Sequence, residues 1–322
     1  MKNIVVIGGG TGTSVVLSGL KNYNVNLTAI VSMADNGGST GRLRDEFGFQ
    51  PVGDLRQSLA SLAREDSQEW IRKLLLYRFS HGRGLQGHNL GNLMLTALQD
   101  MSGSTPQALE IMENMFGLKG RVYPSTSESV DLVIEFEDGT FIIGECNLNS
   151  GGVGGKKIKK VYLSPKAKAY SKALESINNA DLIVIGPGDL YASIIPNFLA
   201  TGMKTALKTS RAKIIYVLNL MTCFCQTHNY KASDHVQEIT NYSGRKPDCI
   251  IINNKKIENN VLKIYENENE FPVDNDLDIK KINIYKKELV LVVKTHQKGD
   301  ALHRSLLRHD SKKLAKVLLT LI

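Results

Sequence analysis

Gly8-Gly9-Gly10-Thr11-Gly12-Thr13-Ser14 follows the β-branched run Ile4 to Ile7 and precedes Val15, Val16, Gly19 and Leu20 at helical spacing. Glycines at a strand-to-helix turn let the backbone approach a phosphate, which the free amides and the positive end of the helix dipole then bind. Gly9, Gly10, Thr11, Gly12 and Thr13 are therefore candidate anion ligands. The segment departs from the dinucleotide fingerprint, because Thr13 stands where the third glycine belongs, and it lacks the P-loop lysine.

A second polar segment, Ala34-Asp35-Asn36-Gly37-Gly38-Ser39-Thr40-Gly41-Arg42, follows the apolar run Leu27 to Val31. Asp35 suits a ribose hydroxyl or Mg²⁺, Ser39 and Thr40 suit a phosphate, and Arg42 suits its charge. The same Asp-Asn-Gly-Gly is also a good turn. Gly87-His88-Asn89-Leu90-Gly91-Asn92 opens a helix, where His88, Asn89 and Asn92 serve equally well as ligand contacts or as caps. After Leu182 to Ile185 the pattern of a strand running into glycines returns as Gly186-Pro187-Gly188-Asp189, adding Gly186, Gly188 and Asp189. Asn219, Met221 and Thr222 follow the next apolar strand, and Ser233-Asp234 reads as a cap. Arg308, ahead of the last helix, can clamp a diphosphate or stay solvated, and Tyr265 can stack on a base or pack.

Short apolar strands alternating with helical stretches predict an α/β fold: a Rossmann-like, doubly wound, mostly parallel sheet in one domain over residues 1–322. In such a sheet the glycine loops all leave at the carboxyl edge and converge on one crevice. Helical insertions are expected at about 54–118. Val130 to Phe136 and Thr140 to Gly144, separated by Asp138-Gly139, predict a β-hairpin at about 130–145. The Asn-, Lys- and Glu-rich stretch at about 255–287 reads as a polar peripheral region, and His309-Asp310-Ser311 as the cap of a closing helix.

With 322 residues, 42% hydrophobic and 22% charged, the chain has a globular composition. Its apolar runs fall far short of the ~20 residues that a membrane helix needs. The N-terminus enters a strand without an export signal, so a cytoplasmic protein is expected. Cys146, Cys223, Cys225 and Cys249 show no Cys-x-x-Cys spacing, and reduced thiols are the expected state. Forty Lys and Arg against 32 Asp and Glu give a net charge of +8, which favours anionic partners. Without basic runs interleaved with aromatics, nucleic acid is not the expected one. No Gly-x-Ser-x-Gly elbow or paired zinc motif is present, which disfavours acyl transfer and zinc chemistry.

Taken in order, Ile7 to Gly12, Asp35 to Leu43, Gly53-Asp54-Leu55-Arg56, Gly87 to Asn92, Gly186-Pro187-Gly188 and Asn219 to Thr222 resemble the YvcK-like gluconeogenesis factors. These form a branch of the CofD superfamily, which includes phospholactate transferase, the enzyme that moves a phospholactyl group from a guanosine diphosphate carrier to a deazaflavin. The resemblance implies a Rossmann-like fold, a crevice for UDP-sugars such as UDP-N-acetylglucosamine, and a role in cell shape and growth on gluconeogenic carbon. It also implies that the Gly9 to Thr13 and Ser39-Thr40 loops cradle phosphate, with Gly186 to Asp189 near the nucleotide and Asn219 to Thr222 near the sugar.

The chain departs from the family pattern at Asn36, where a second Asp is usual, and at Cys225-Gln226-Thr227-His228, where Gln226 and His228 replace carboxylates. The first change weakens a possible Mg²⁺ site, and the second should make the crevice more tolerant of anions. The expected function is a UDP-sugar-binding regulator, with an Mg²⁺-dependent phospholactyl-type transferase acting on a (deaza)flavin-like acceptor as the alternative. A homodimer is the default assembly, since symmetric dimers are common.

Overall fold

The computed structural model describes residues 1–34, 37–64, 69–150, 153–293 and 306–322. In chain order the strands are β1 (Lys2–Gly8), β2 (Val25–Val31), β3 (Arg121–Pro124), β4 (Asp131–Phe136), β5 (Phe141–Ile143), β6 (Ile158–Ser164), β7 (Leu182–Ile185), β8 (Lys213–Val217), β9 (Cys249–Asn253), β10 (Asn283–Lys287), β11 (Val290–Val292) and β12 (Leu307–His309). Seven of them form one sheet in the order β3-β2-β1-β7-β8-β9-β10, with every neighbouring pair parallel. The chain winds outward from β1 to β3, returns beside β1 as β7, and then winds the other way. The switch point of this Rossmann-like sheet therefore lies between β1 and β7.

A parallel sheet covered on both faces needs strands that are apolar on both sides. Ile4, Val6, Leu182 and Val184 enter one core, while Val5, Ile7, Ile183 and Ile185 enter the other. Helices Gly10–Leu20, Gly53–Leu62, Leu90–Ser102, Thr105–Phe116 and Ser311–Leu319 cover the first face through Leu17, Leu55, Leu95, Leu109 and Leu314. Helices Ser171–Asn178, Met203–Thr209 and Ala232–Ser243 cover the second face. Predicted caps form at Asn89, whose Oδ1 accepts the Asn92 amide at 3.2 Å, and at Asp310, which accepts the Lys312 and Lys313 amides at 3.0 Å.

The expected hairpin forms around Asp138-Gly139, but it belongs to a three-stranded antiparallel sheet in the order β5-β4-β6. In β6, Ile158, Val161 and Leu163 turn inward, and an irregularity opposite Glu135/Phe136 interrupts their period, which hides the strand in the sequence. The polar stretch 255–287 contributes more than a periphery. It carries the helix Asn259–Glu266 and supplies β10, the edge strand of the main sheet. Exposed Lys286 and Lys287 suit that edge, since charge discourages pairing with another sheet. Among the described residues no helix is long and apolar enough to cross a membrane.

Candidate functional site

Two glycine loops meet at the switch point. Helix Gly10–Leu20 starts directly at the end of β1, with Gly9 as its cap residue and Gly10 at φ +57°. A Cβ on Gly12 would run into the Pro187 carbonyl, so the two loops pack backbone to backbone there, and one on Gly9 would meet the Asp54 carboxylate. The second loop is tied down at both ends. The Gly186 amide donates to Ile7 O at 2.9 Å, and Asn219 Nδ2 donates to Gly188 O at 2.7 Å. Gly9, Gly10, Gly12, Gly186, Gly188 and Asn219 thus form one continuous rim. Thr11 is half-buried at the helix start, whereas Thr13 is fully buried with Oγ1 turned towards Gly8.

Ser39, Thr40, His88, Asn89 and Asn92 come together as a second, buried cluster. Ser39 Oγ lies 3.2 Å from His88 Nδ1 and accepts from the Asn89 amide at 3.3 Å. Asn92 Nδ2 reaches Ser39 Oγ at 3.4 Å and Thr40 Oγ1 at 3.3 Å. Both hydroxyls sit in the first turn of helix Gly38–Phe47, so the cluster joins two helix starts. Burial, reinforced by the neighbouring Arg42 charge, holds the His88 imidazole below its ordinary range. Arg42 is exposed and donates to Gln86 O at 3.3 Å. Asp35, the proposed ribose or Mg²⁺ ligand, and Asn36 lie outside the described residues.

Helix Gly53–Leu62 links the two regions, since Asp54 lies against Gly9 and Gly10 while Arg56 passes beneath Gly91. Sequence reasoning gave Asp54 no role. Its only signal was the Gly53-Asp54-Leu55-Arg56 segment within the family resemblance.

Asp189 is exposed directly after the Gly186–Gly188 turn, yet the surrounding protein removes enough water to raise its carboxyl above the ordinary range, opposed by a hydrogen bond from Gln226. Gln226 is itself buried, and its Oε1 accepts the Tyr191 and Ala192 amides at 3.1 and 3.2 Å. The side chain expected to ease anion binding therefore caps a helical turn and steadies Asp189. A glutamate there could not donate to Asp189, which gives this departure from the family pattern a structural reason. His228 packs edge-on against Phe224, with ring centroids 5.0 Å apart. Asn197, also unassigned from the sequence, is fully buried and donates from Nδ2 to the carbonyls of Gly8 (3.2 Å), Ser193 (2.8 Å) and Ile194 (3.2 Å).

Other candidates do different work. Tyr265 and Met221 belong to a small satellite core with Ile257, Val261, Val290 and Leu307. The Tyr265 hydroxyl accepts the Leu307 amide at 2.9 Å, and the ring, only 5% exposed, offers no face to a base. Thr222 Oγ1 accepts the Phe271 amide at 2.9 Å, which pins the 271 loop rather than reaching outward. Arg308 is half-buried and lies in β12, opposite Leu291, one residue before His309, which bonds to the Leu218 backbone. That bond sets β12 beside the carboxyl end of β8. Next to Asn219, a hollow of about 300 Å³ is lined by Asn253, Lys255, Lys256 and Pro272 among others, a volume at the lower end for small-ligand sites.

Two buried histidines brace this edge. Burial depresses both His235, whose Nδ1 lies 3.2 Å from the Tyr216 hydroxyl, and His309 to about 4. Tyr216 in turn donates to Asn219 Oδ1 at 3.3 Å. A folded-state value below the unfolded ~6.5 means that the unfolded chain binds more protons between about pH 4 and 6.5. Stability should therefore be fully present above pH 6.5 and fall as the pH drops towards 4, with proton uptake on unfolding approaching about two per molecule. Urea midpoints measured across this range check it, and a flat profile would contradict the buried neutral state.

No group of three or more His, Cys, Asp or Glu side chains among the described residues converges to hold a metal ion.

Strand order and loop placement together define a Rossmann-like protein whose two glycine loops meet at the topological switch point. The chain belongs to the CofD family: the model described as 2-phospho-L-lactate transferase CofD matches residues 4–293. It is 42% identical to the gluconeogenesis factor of Halalkalibacterium halodurans over 274 residues, covering 84% of each chain. It is 37% identical to that of Bacillus subtilis over 321 residues, covering 99% of this chain and 98% of the other. A crystal structure of a Bacillus halodurans protein superposes with a TM-score of 0.89 at 39% identity, covering 99% of each chain.

Proposed function

We propose that this chain is a regulatory protein that binds a nucleotide-sugar of the UDP-sugar type in the switch-point crevice, and that occupancy shifts its conformation without turnover. The observation that carries this reading is the packing of Gly12 against Pro187. It presents the start of helix Gly10–Leu20 and the Gly186–Gly188 turn as one backbone-lined surface, the arrangement that suits a diphosphate. The hollow beside Asn219 offers room for a sugar. The name shared by the relatives, gluconeogenesis factor, supports a role in growth on gluconeogenic carbon, and the family resemblance alone supports one in cell shape.

A second reading, transfer of a phosphorus-containing group from a nucleoside-diphosphate-linked donor to a (deaza)flavin-like acceptor, is favoured by the family model and by the carboxylates of Asp54 and Asp189 at the loops. Calorimetric titration with UDP-N-acetylglucosamine, UDP-glucose, UDP, GDP and FMN, each with and without Mg²⁺, separates the two. Metal-independent preference for uridine supports the regulator, and strictly Mg²⁺-dependent binding of GDP or flavin supports transfer.

Arg308→Ala is expected to weaken UDP-sugar binding by about 1.5–3 kcal/mol through loss of charge-assisted bonds. Unchanged affinity in a folded variant would confine Arg308 to strand pairing.

A further inference from the structure

Cys223 and Cys225 share one tight turn at the crevice. The amides of Gln226 and Thr227 both donate to Cys223 O, at 3.0 and 2.8 Å, and the Cys223 amide donates to Thr227 Oγ1 at 2.9 Å, closing the turn on itself. Phe224, between the cysteines, fixes it from the other side. Its ring lies where a Cβ of Gly154 would fall, and its carbonyl accepts the Gly155 amide at 2.9 Å. Within this frame the Cys223 thiol hydrogen-bonds to the Cys225 sulfur, and both residues are half-buried, so a small reagent can reach them. Residues two apart on a helical turn point their side chains to different sides, so the thiol contact across this turn, and not the spacing, is what brings the two sulfurs within reach of a bond.

We propose that Cys223 and Cys225 are a modification site that closes to a reversible disulfide when a peroxide reaches the crevice mouth. The two thiols have unequal roles. The hydrogen bond from Cys223 brings Cys225 down to about 7 against the opposing effect of burial, whereas donating that bond, together with burial, pushes Cys223 up. Cys225 is therefore the nucleophile and Cys223 the resolving thiol. The Cys225 thiolate attacks one oxygen of hydrogen peroxide, the O–O bond breaks, and hydroxide leaves, giving a sulfenic acid. The Cys223 sulfur then attacks the Cys225 sulfur, the S–O bond breaks, and the Cys223 proton leaves with the departing oxygen as water. Both cysteines are oxidised, one peroxide is reduced, and with the Cys225 proton counted two waters form. Gln226, which caps the turn at Tyr191 and steadies Asp189, is the next residue in the chain, so the bridge forms where the crevice wall is anchored.

The test uses the full chain at pH 7, treated with hydrogen peroxide, blocked with N-ethylmaleimide and mapped after cleavage following Phe224. The expected product is a pair of peptides that stay joined until a reductant separates them, with the fully buried Cys249 still free to be labelled after unfolding. In Cys223→Ser the resolving thiol is gone, and a Cys225 sulfenic acid should accumulate that dimedone traps. Wild-type protein should yield at least about tenfold less of that adduct. Independent labelling of Cys223 and Cys225 after oxidation, a bridge to Cys146 or Cys249 instead, or equal dimedone adducts in both proteins would each overturn the proposal. The wild-type map decides the matter even if the variant fails to fold.

Discussion

Replacing Gly12 with alanine is expected to cost about 3 kcal/mol or more in folding stability, the upper end for forcing extra volume into a packed site, and to remove binding at the crevice with it. The added Cβ falls on the Pro187 carbonyl, which is backbone and sits between two tethers, Gly186 to Ile7 and Asn219 to Gly188. It cannot swing aside as a side-chain tip would, so the loops must separate. Gly38→Ala is the natural comparison, because a Cβ there meets nothing within 4 Å and the cost is confined to its φ of +52°, about 1 kcal/mol. Urea unfolding of the two variants measures the difference. A Gly12→Ala protein within 1 kcal/mol of wild type would mean that the two loops move as independent flaps.

Asn197→Asp should be about as damaging, with a loss of about 4 kcal/mol, and more so than Asn197→Leu at about 2–3 kcal/mol. The usual expectation, that the isosteric change is the milder one, is reversed here. Asn197 Nδ2 faces three carbonyl oxygens in a site with no exposure, so an aspartate would set acceptor against acceptor and bury a charge, while leucine leaves the carbonyls unpaired but adds no repulsion. Because one of those carbonyls belongs to Gly8, the last residue of β1, the damage should also reach the first glycine loop. Unfolding at pH 7 orders the variants. Equal losses would show that Asn197 acts by packing rather than by donating.

Much of this architecture was legible in local sequence. Fully apolar runs such as Leu182 to Ile185 read as strands buried on both faces, and Asp310 reads as a cap because capping is decided within three residues. The glycine loops followed from the same short-range logic. The job of a single side chain is less legible. Tyr265 reads equally as a stacking or a packing ring, and Met221 and Thr222 as neighbours of a sugar, whereas the structure packs the first two in a satellite core and ties the third to the Phe271 backbone. β6 was missed because its inward residues lose their period at the irregularity opposite Glu135/Phe136.

The amino-acid sequence by itself determined which segments are strands and helices, that they alternate, and that glycines stand where strands end. Those properties depend on backbone freedom and on apolar periodicity over a few residues. Tertiary structure alone decided that Gly12 meets Pro187, that Asp54 lies against the first glycine loop, that Asn197 holds the end of β1, and that Gln226 faces Asp189. Each of these contacts joins residues scores of positions apart. Which of them touch depends on the order in which the sheet is wound, and that order is fixed by packing two cores at once.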